Sequence, residues 1–222
     1  YCSALIIRTF AQSDVDQLGA YSTIPVINAL TDVDHPTQLL ADWLTIRENF
    51  GTDISGRKFV YMGDGNNMSH AWLIMGAIMG AHVVAATPSG KWAPDPVVVA
   101  IAKNIAANSG GKVEVTNDPE AAAKDASVLY ADVWMSMGDS ESDRAEKMRA
   151  LSAYAVTENL MKMTSKDSLF MHCLPAHRGE EVEASVIDGP RSVIWREAYH
   201  RRTTIQSILY HLVRGDLKGY TH

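Results

Sequence analysis

Asp132 stands ahead of Val133-Trp134-Met135-Ser136-Met137-Gly138, so a carboxylate introduces an apolar stretch that ends in a flexible glycine. Such a carboxylate could hold an ammonium group; equally, it could cap a turn while Trp134 and the methionines join the core. Cys173-Leu174-Pro175-Ala176-His177-Arg178-Gly179 gathers a thiol, an imidazole and a guanidinium. Cys-His nucleophilic catalysis is one reading. The other is a structural cysteine beside a Pro175 turn that holds backbone carbonyls in place. In His35-Pro36-Thr37-Gln38 the imidazole and the amide are three residues apart at a helix start and can point the same way, although a lone histidine also serves as a satisfied structural residue. Gly63-Asp64-Gly65-Asn66-Asn67 has the form of a phosphate-cradling turn with backbone N–H groups aimed at an anion. The third glycine of a dinucleotide fingerprint is missing, since Met68, Ser69 and His70 follow, and a capped tight turn is the plainer reading.

The elements that must position these residues alternate. Ala4–Ile7 reads as a strand, Gln12–Tyr21 as a helix, Pro25–Ile27 as a strand and Thr37–Phe50 as an amphipathic helix. The pattern restarts with strand Lys58–Met62, a helix from about Met68, and strand His82–Ala86. Asp95-Pro96 opens a helix that Gly110-Gly111 stops. Strands follow at Lys112–Val115, Ser127–Tyr130, Leu169–His172 and Ser192–Trp195; helices follow at Pro119–Lys124, Glu141–Ala155 and Arg196–Val213. This alternation predicts an α/β fold of parallel sheets flanked by helices, with a boundary near Gly51 to Arg57. Ligands in such folds sit at the C-terminal ends of strands, so the residues just after each strand are the ones to inspect.

Composition excludes several classes. The chain has 222 residues, 46% hydrophobic and 21% charged, as in an ordinary globular protein. A net charge of −6 without a basic patch argues against a nucleic-acid partner. The most apolar stretch, Ala71 to Ala86, is short and interrupted by Gly76, Gly80 and His82, which argues against a membrane partner. Cys2 and Cys173 lie far apart without CxxC spacing, so neither a disulfide framework nor a zinc ribbon is supported, and a cytoplasmic location is the default. The chain begins at Tyr1 with a buried-strand pattern, which reads as a start inside a domain.

Taken together and in order, His35-Pro36-Thr37-Gln38, Gly63-Asp64-Gly65-Asn66-Asn67-Met68, Asp132-Val133-Trp134-Met135-Ser136-Met137-Gly138 and His172-Cys173-Leu174-Pro175 resemble the ornithine carbamoyltransferase family. The continuation Pro175 to Glu181 resembles its biosynthetic bacterial-type members. The resemblance implies a partial carbamoyl phosphate domain over residues 1–50, a Rossmann-like ornithine-binding domain over 51–195, and a C-terminal helix over 196–222 packing back toward the first. It implies transfer of the carbamoyl group of carbamoyl phosphate to the δ-amine of L-ornithine in arginine biosynthesis, giving citrulline and phosphate, in a homotrimer without cofactor or metal.

The resemblance also implies roles. Arg8 matches an arginine used on carbamoyl phosphate, and His35 and Gln38 match the pair that touches its carbamoyl group. Asn67, Asp132, Ser136 and Met137 match ornithine contacts. Cys173 and the carbonyl of Leu174 match groups at the reacting centre, and Arg201 matches the arginine near the carbonyl oxygen. Donors aimed at a developing oxyanion contribute about 3 kcal/mol each in a dry, preorganised site.

The chain departs from the family at two places. The phosphate-gripping Ser-Thr-Arg-Thr-Arg motif, which in the family precedes the segment matching Tyr1, is not in this sequence, and the chain as given is expected to be inactive alone. Before Arg201 stands Glu197-Ala198-Tyr199-His200, where the family commonly has Glu-Ala-Glu-Asn. Three alternatives stand beside the main reading: a putrescine carbamoyltransferase, a non-catalytic carbamoyltransferase-like binding module, and a dinucleotide-binding domain using the Gly63 to Asn67 turn. The last would be expected to carry an acid at the end of its second strand, where Ala86-Thr87 stands.

Overall fold

A short strand, β1 (Leu5–Arg8), is followed by α1 (Gln12–Tyr21), β2 (Val26–Leu30) and α2 (Pro36–Phe50). The two strands pair in parallel, because α1 carries the chain back to the same end before β2 begins. Pro36 sits in the first turn of α2, where its missing N–H costs nothing. The computed structural model describes residues 1–135 and 140–215.

The second unit runs β3 (Lys58–Met62), α3 (Asn67–Ile78), β4 (His82–Ala86), α4 (Pro96–Ser109), β5 (Lys112–Thr116), α5 (Pro119–Ala123), β6 (Val128–Ala131), α6 (Arg144–Leu151), α7 (Glu158–Met163), β7 (Leu169–His172), α8 (Ala184–Ile187) and α9 (Ile194–Arg214). Its strands form one parallel sheet in the order β5-β4-β3-β6-β7. The chain builds outward from β3 through β4 to β5, then crosses back to lay β6 and β7 on the other side. The strand order therefore reverses between β3 and β6, and a crevice opens beyond their C-terminal ends.

The period of two along each strand divides the core. Phe59, Tyr61, Val128, Tyr130 and Met171 face one layer with Trp72 and, from α2, Leu39, Trp43 and Ile46. Val60, Met62, Leu129, Ala131 and Phe170 face the other with Val156, Val186 and Ile194. Both faces are covered, which is why these strands read as continuous apolar runs. Since α2 belongs to the β1–β2 unit yet packs into the larger sheet's core, the two units share one interior.

Helix α9 lies along α2. Arg196 pairs with Glu48 through Nε at 2.7 Å and also through Nη2. Thr45 spends its hydroxyl proton on the carbonyl of Ala41, so at 2.7 Å it accepts from His200 Nδ1.

Two sequence expectations are corrected. The strand expected at Ser192–Trp195 is absent: Ser192 makes one isolated bridge to Phe170, and Ile194 and Trp195 are the first residues of α9. A short apolar run does not distinguish a strand from the first turn of an amphipathic helix, and Ile194 is buried against the sheet as a helical residue. The helix expected over Glu141–Ala155 is a 3-10 turn, α6, and a second 3-10 turn in succession, and α7 and α8 were not anticipated. Among the described residues no helix is long and apolar enough to cross a membrane.

Candidate active site

The crevice holds a cleft of about 870 Å³ between the two units. At its floor, the turn after β3 starts α3. Asn66 is the N-cap: its Oδ1 accepts from the N–H of Met68 at 2.9 Å and of Ser69 at 3.3 Å. These amides are what an anion would need, so the turn is a capped helix start and not a phosphate cradle. The rest of Asn66 is also committed. The Tyr61 hydroxyl donates to Oδ1 at 3.2 Å, and Nδ2 donates to Asp132 Oδ2 at 2.9 Å. Asn67, one residue on, donates to the carbonyl of Thr31 at 3.0 Å and so links the turn to the end of β2.

Gly65 lets this turn close. A Cβ there would lie 2.2 Å from the carbonyl carbon of Ala93 and 2.3 Å from the nitrogen of Pro94, both backbone atoms. Gly65→Ala is therefore expected to displace the turn. It should lower stability by about 2 kcal/mol or more, within the range for overpacking, and reduce turnover about 10²-fold by moving Asn66 and Asn67. Thermal melting and steady-state kinetics on the same preparation check both.

At the C-terminal ends of β6 and β7 stand Asp132 and Cys173. The Cys173 thiol donates to Asp132 Oδ1 at 3.0 Å, and the N–H of Val133 donates to the same oxygen at 2.8 Å. Burial pushes the Cys173 thiol well above its ordinary value, and the carboxylates of Asp132, Glu197 and Asp42 push it further. The group is a thiol at neutral pH, which removes the Cys-His nucleophile reading, because the thiolate is the reactive form. Iodoacetamide at pH 8 is accordingly expected to label the exposed Cys2 and leave Cys173 intact; peptide mass spectrometry reads the two sites separately. Leu174 follows with φ +57°, uncommon for a residue with a Cβ. Its N–H donates to His172 Nδ1 at 2.9 Å, which holds that conformation.

Across the cleft, Arg8 ends β1, His35 occupies the N-cap position of α2, and Arg201 reaches in from α9. Burial drives the His35 imidazole down to about 3, helped by the charges of Arg201 and Arg8. The ring is thus a neutral donor between two cations. Unfolding would let it protonate near 6.5, so His35 withdraws stability as pH falls from there toward 3. We expect no step from His35 in kcat/KM between about pH 5 and pH 9; a pH–rate profile of wild type against His35→Asn measures it.

Gln38 is 1% exposed and does not line the cleft. It sits behind Arg201, accepting from the guanidinium through Oε1 and donating through Nε2 to Asp42 and Glu197. The structure therefore brings Arg8, His35, Asn67, Asp132, Cys173, Leu174 and Arg201 to one cleft. Ser136 and Met137 lie outside the described residues. Sequence reasoning missed Asn66, although its place as the last residue before an apolar helix is an N-cap signal. It also missed Asp42 and Glu197, which only tertiary packing buries behind the cleft.

Residues 55–212 match the Asp/Orn binding domain of aspartate/ornithine carbamoyltransferases, and residues 1–48 match the carbamoyl-P binding domain of the same group. An ornithine carbamoyltransferase of Pyrococcus horikoshii is 47% identical over 220 residues, covering 99% of this chain and 68% of that protein. The solved ornithine carbamoyltransferase of Pyrococcus furiosus is similar with TM-score 0.91 at 47% identity, covering 98% of this chain and 68% of that one. The ornithine transcarbamoylase of Giardia lamblia is similar with TM-score 0.89 at 31% identity, covering 97% and 71%. The match over both units, with the strand-end residues gathered at one cleft, places this chain in the aspartate/ornithine carbamoyltransferase family.

Proposed function

We propose that the cleft transfers the carbamoyl group of carbamoyl phosphate to the δ-amine of L-ornithine, giving L-citrulline and phosphate. The observation that carries this reading is the opposition of two chemistries across one cleft. A set of cationic and neutral donors, Arg8, His35 and Arg201, faces a fixed carboxylate and thiol, Asp132 and Cys173.

The neutral δ-amine attacks the carbonyl carbon, and negative charge develops on the carbonyl oxygen. Arg8, His35 and Arg201 are donors suited to that charge, and a neutral His35 can donate without adding a third repelling cation. Asp132 accepts from the amine and aims it, with Cys173 and Asn66 keeping the carboxylate in one orientation. Asn67, Ser136 and Met137 are assigned to ornithine, and the Leu174 carbonyl to the reacting centre. Gln38 stands behind the cleft, so its part on the carbamoyl phosphate side is assigned through Arg201, whose guanidinium it accepts from. When the tetrahedral intermediate collapses, phosphate leaves and can take the amine proton, so the step balances without a further base.

Residues 1–50 are assigned to the carbamoyl phosphate domain, 51–195 to the ornithine domain and 196–222 to the helix returning to the first. The free thiols of Cys2 and Cys173 support a cytoplasmic enzyme. The net charge supports the absence of a nucleic-acid partner, and no membrane partner is assigned. The relative of Pyrococcus furiosus named anabolic supports a biosynthetic direction. A homotrimer is expected, which light scattering would check.

The test is citrulline formation with the chain extended upstream of Tyr1 by the family's phosphate-binding segment, with putrescine offered in parallel. Turnover of ornithine at about 10⁴-fold the kcat/KM of putrescine or more is the expected result, the selectivity of a site that hydrogen-bonds groups the analogue lacks. Preference for putrescine, or no turnover of either by folded protein, overturns it.

A further inference from the structure

Two acids buried behind the cleft take no part in the chemistry above. Glu197 is 1% exposed and Asp42 is 0% exposed, and burying carboxyl groups is costly unless they are hydrogen-bonded or neutralised. Both meet the same amide. Gln38 Nε2 donates to Asp42 Oδ1 at 2.7 Å and to Glu197 Oε1 at 3.1 Å. An amide nitrogen carries two hydrogens, and these two acceptors use both. The amide then has one orientation left, with Oε1 turned toward the cleft side, and that oxygen accepts from Arg201 Nη1.

The second oxygen of Glu197 accepts from the backbone N–H of His172 at 3.0 Å. His172 immediately precedes Cys173 and Leu174. One carboxyl group therefore touches both the side chain that holds Arg201 and the backbone that delivers Cys173. It also stands one helical turn before Arg201 on α9, so the helix ties the arginine to its own support.

We infer that Glu197, together with Asp42, is a positioning residue for carbamoyl transfer: it fixes the Gln38 amide so that Arg201 is presented to the cleft, and registers the β7 end against α9. The inference rests on the reading of the cleft given under Proposed function. The groups facing the pair are Gln38 and Asp42 from α2, Tyr130 from β6, Cys173 and the His172 backbone beyond β7, and Arg201 from α9. Burial raises both carboxyls, Asp42 to about 7 and Glu197 well above its ordinary value, so the pair retains a proton near neutrality. A retained proton lessens the repulsion between two carboxyls that share one amide.

Glu197→Gln separates this role from simple packing. It keeps shape and volume, yet both oxygens of Glu197 accept from donors, and an amide cannot offer two acceptors. Either Gln38 turns or the His172 N–H loses its partner. With the upstream-extended protein, kcat is expected to fall about 10²-fold, the scale of a misplaced catalytic group, with KM for ornithine within about twofold. In a Gln38→Ala background the same change should cost less than about threefold, since residues acting through one another are not additive. A crystal structure of Glu197→Gln should show the Gln38 amide turned away from Arg201.

Wild-type kcat in folded Glu197→Gln, or losses that multiply in full across the double variant, overturns the inference. A lowered melting temperature with unchanged kcat per folded molecule also overturns it, because that is what packing alone would give. If Glu197→Gln does not fold, Asp42→Asn probes the same amide from its other side, and unchanged kcat there is equally fatal. Failure of the wild type to make citrulline would instead strike the proposed reaction; the orientation of Gln38 toward Arg201 in the variant crystal would still decide this one.

Discussion

Asp132→Ala is expected to lower kcat/KM for ornithine about 10³-fold, with carbamoyl phosphate saturating and the melting temperature within a few degrees of wild type. The carboxylate accepts from Cys173 and Val133 on Oδ1 and from Asn66 on Oδ2. A carboxylate offers roughly four lone-pair sites, so these partners hold it still and leave capacity for an incoming amine. Losing a fixed, buried charge partner costs on the order of 2–5 kcal/mol, and each 1.36 kcal/mol of barrier is about tenfold in rate. Asp132→Asn should fare no better despite its shape. Its amide nitrogen would meet either the Asn66 amide or the Cys173 thiol, donor against donor. Retention of more than about a tenth of wild-type kcat/KM in both variants would remove Asp132 from the reacting centre, because a charge-assisted contact that strong cannot be lost so cheaply.

Arg201→Ala should lower kcat about 10²- to 10³-fold, the scale for removing one donor from a developing oxyanion. It should also lower stability. The Gln38 carbonyl oxygen would be left buried without its donor, at a cost of about 1–3 kcal/mol. Arg201→Lys separates the two effects. An ammonium keeps the charge near His35 and Arg8 but lacks the planar fork that can hold Gln38 while still facing the cleft. We expect it to recover part of the stability and little of the rate. Kinetics and melting of the two variants side by side would show this; near-wild-type kcat in Arg201→Lys would mean that charge alone suffices and that the hydrogen bond to Gln38 is not used.

The inner strands of the larger sheet were legible because they are buried on both faces. Lys58–Met62, His82–Ala86 and Leu169–His172 stand in the structure as β3, β4 and β7. Capping chemistry also carried through: Asp95 caps α4, Pro96 opens it, and Gly110 ends it in the left-handed conformation at φ +81°. Ser192–Trp195 misled because apolar, β-branched residues at a helix start look like a short strand when the partner surface is unknown. The turn at Gly63 to Asn67 stayed ambiguous for a similar reason. Whether its N–H groups bind an anion depends on where the Asn66 side chain points, and that direction is set by Tyr61 and Asp132.

Residue type and order put a carboxylate and a thiol at successive strand ends, an imidazole at a helix start and an arginine on the last helix. Local forces set those placements, through periodicity, capping and turn preference acting over a few residues. Tertiary contacts assigned the rest. Gln38 and Glu197 are 159 residues apart and Gln38 and Arg201 are 163 apart, separations over which chain spacing imposes no register. The neutral state of His35 and the protonated state of Cys173 likewise arise from burial among particular neighbours, since desolvation is a property of the packed interior and not of the residue.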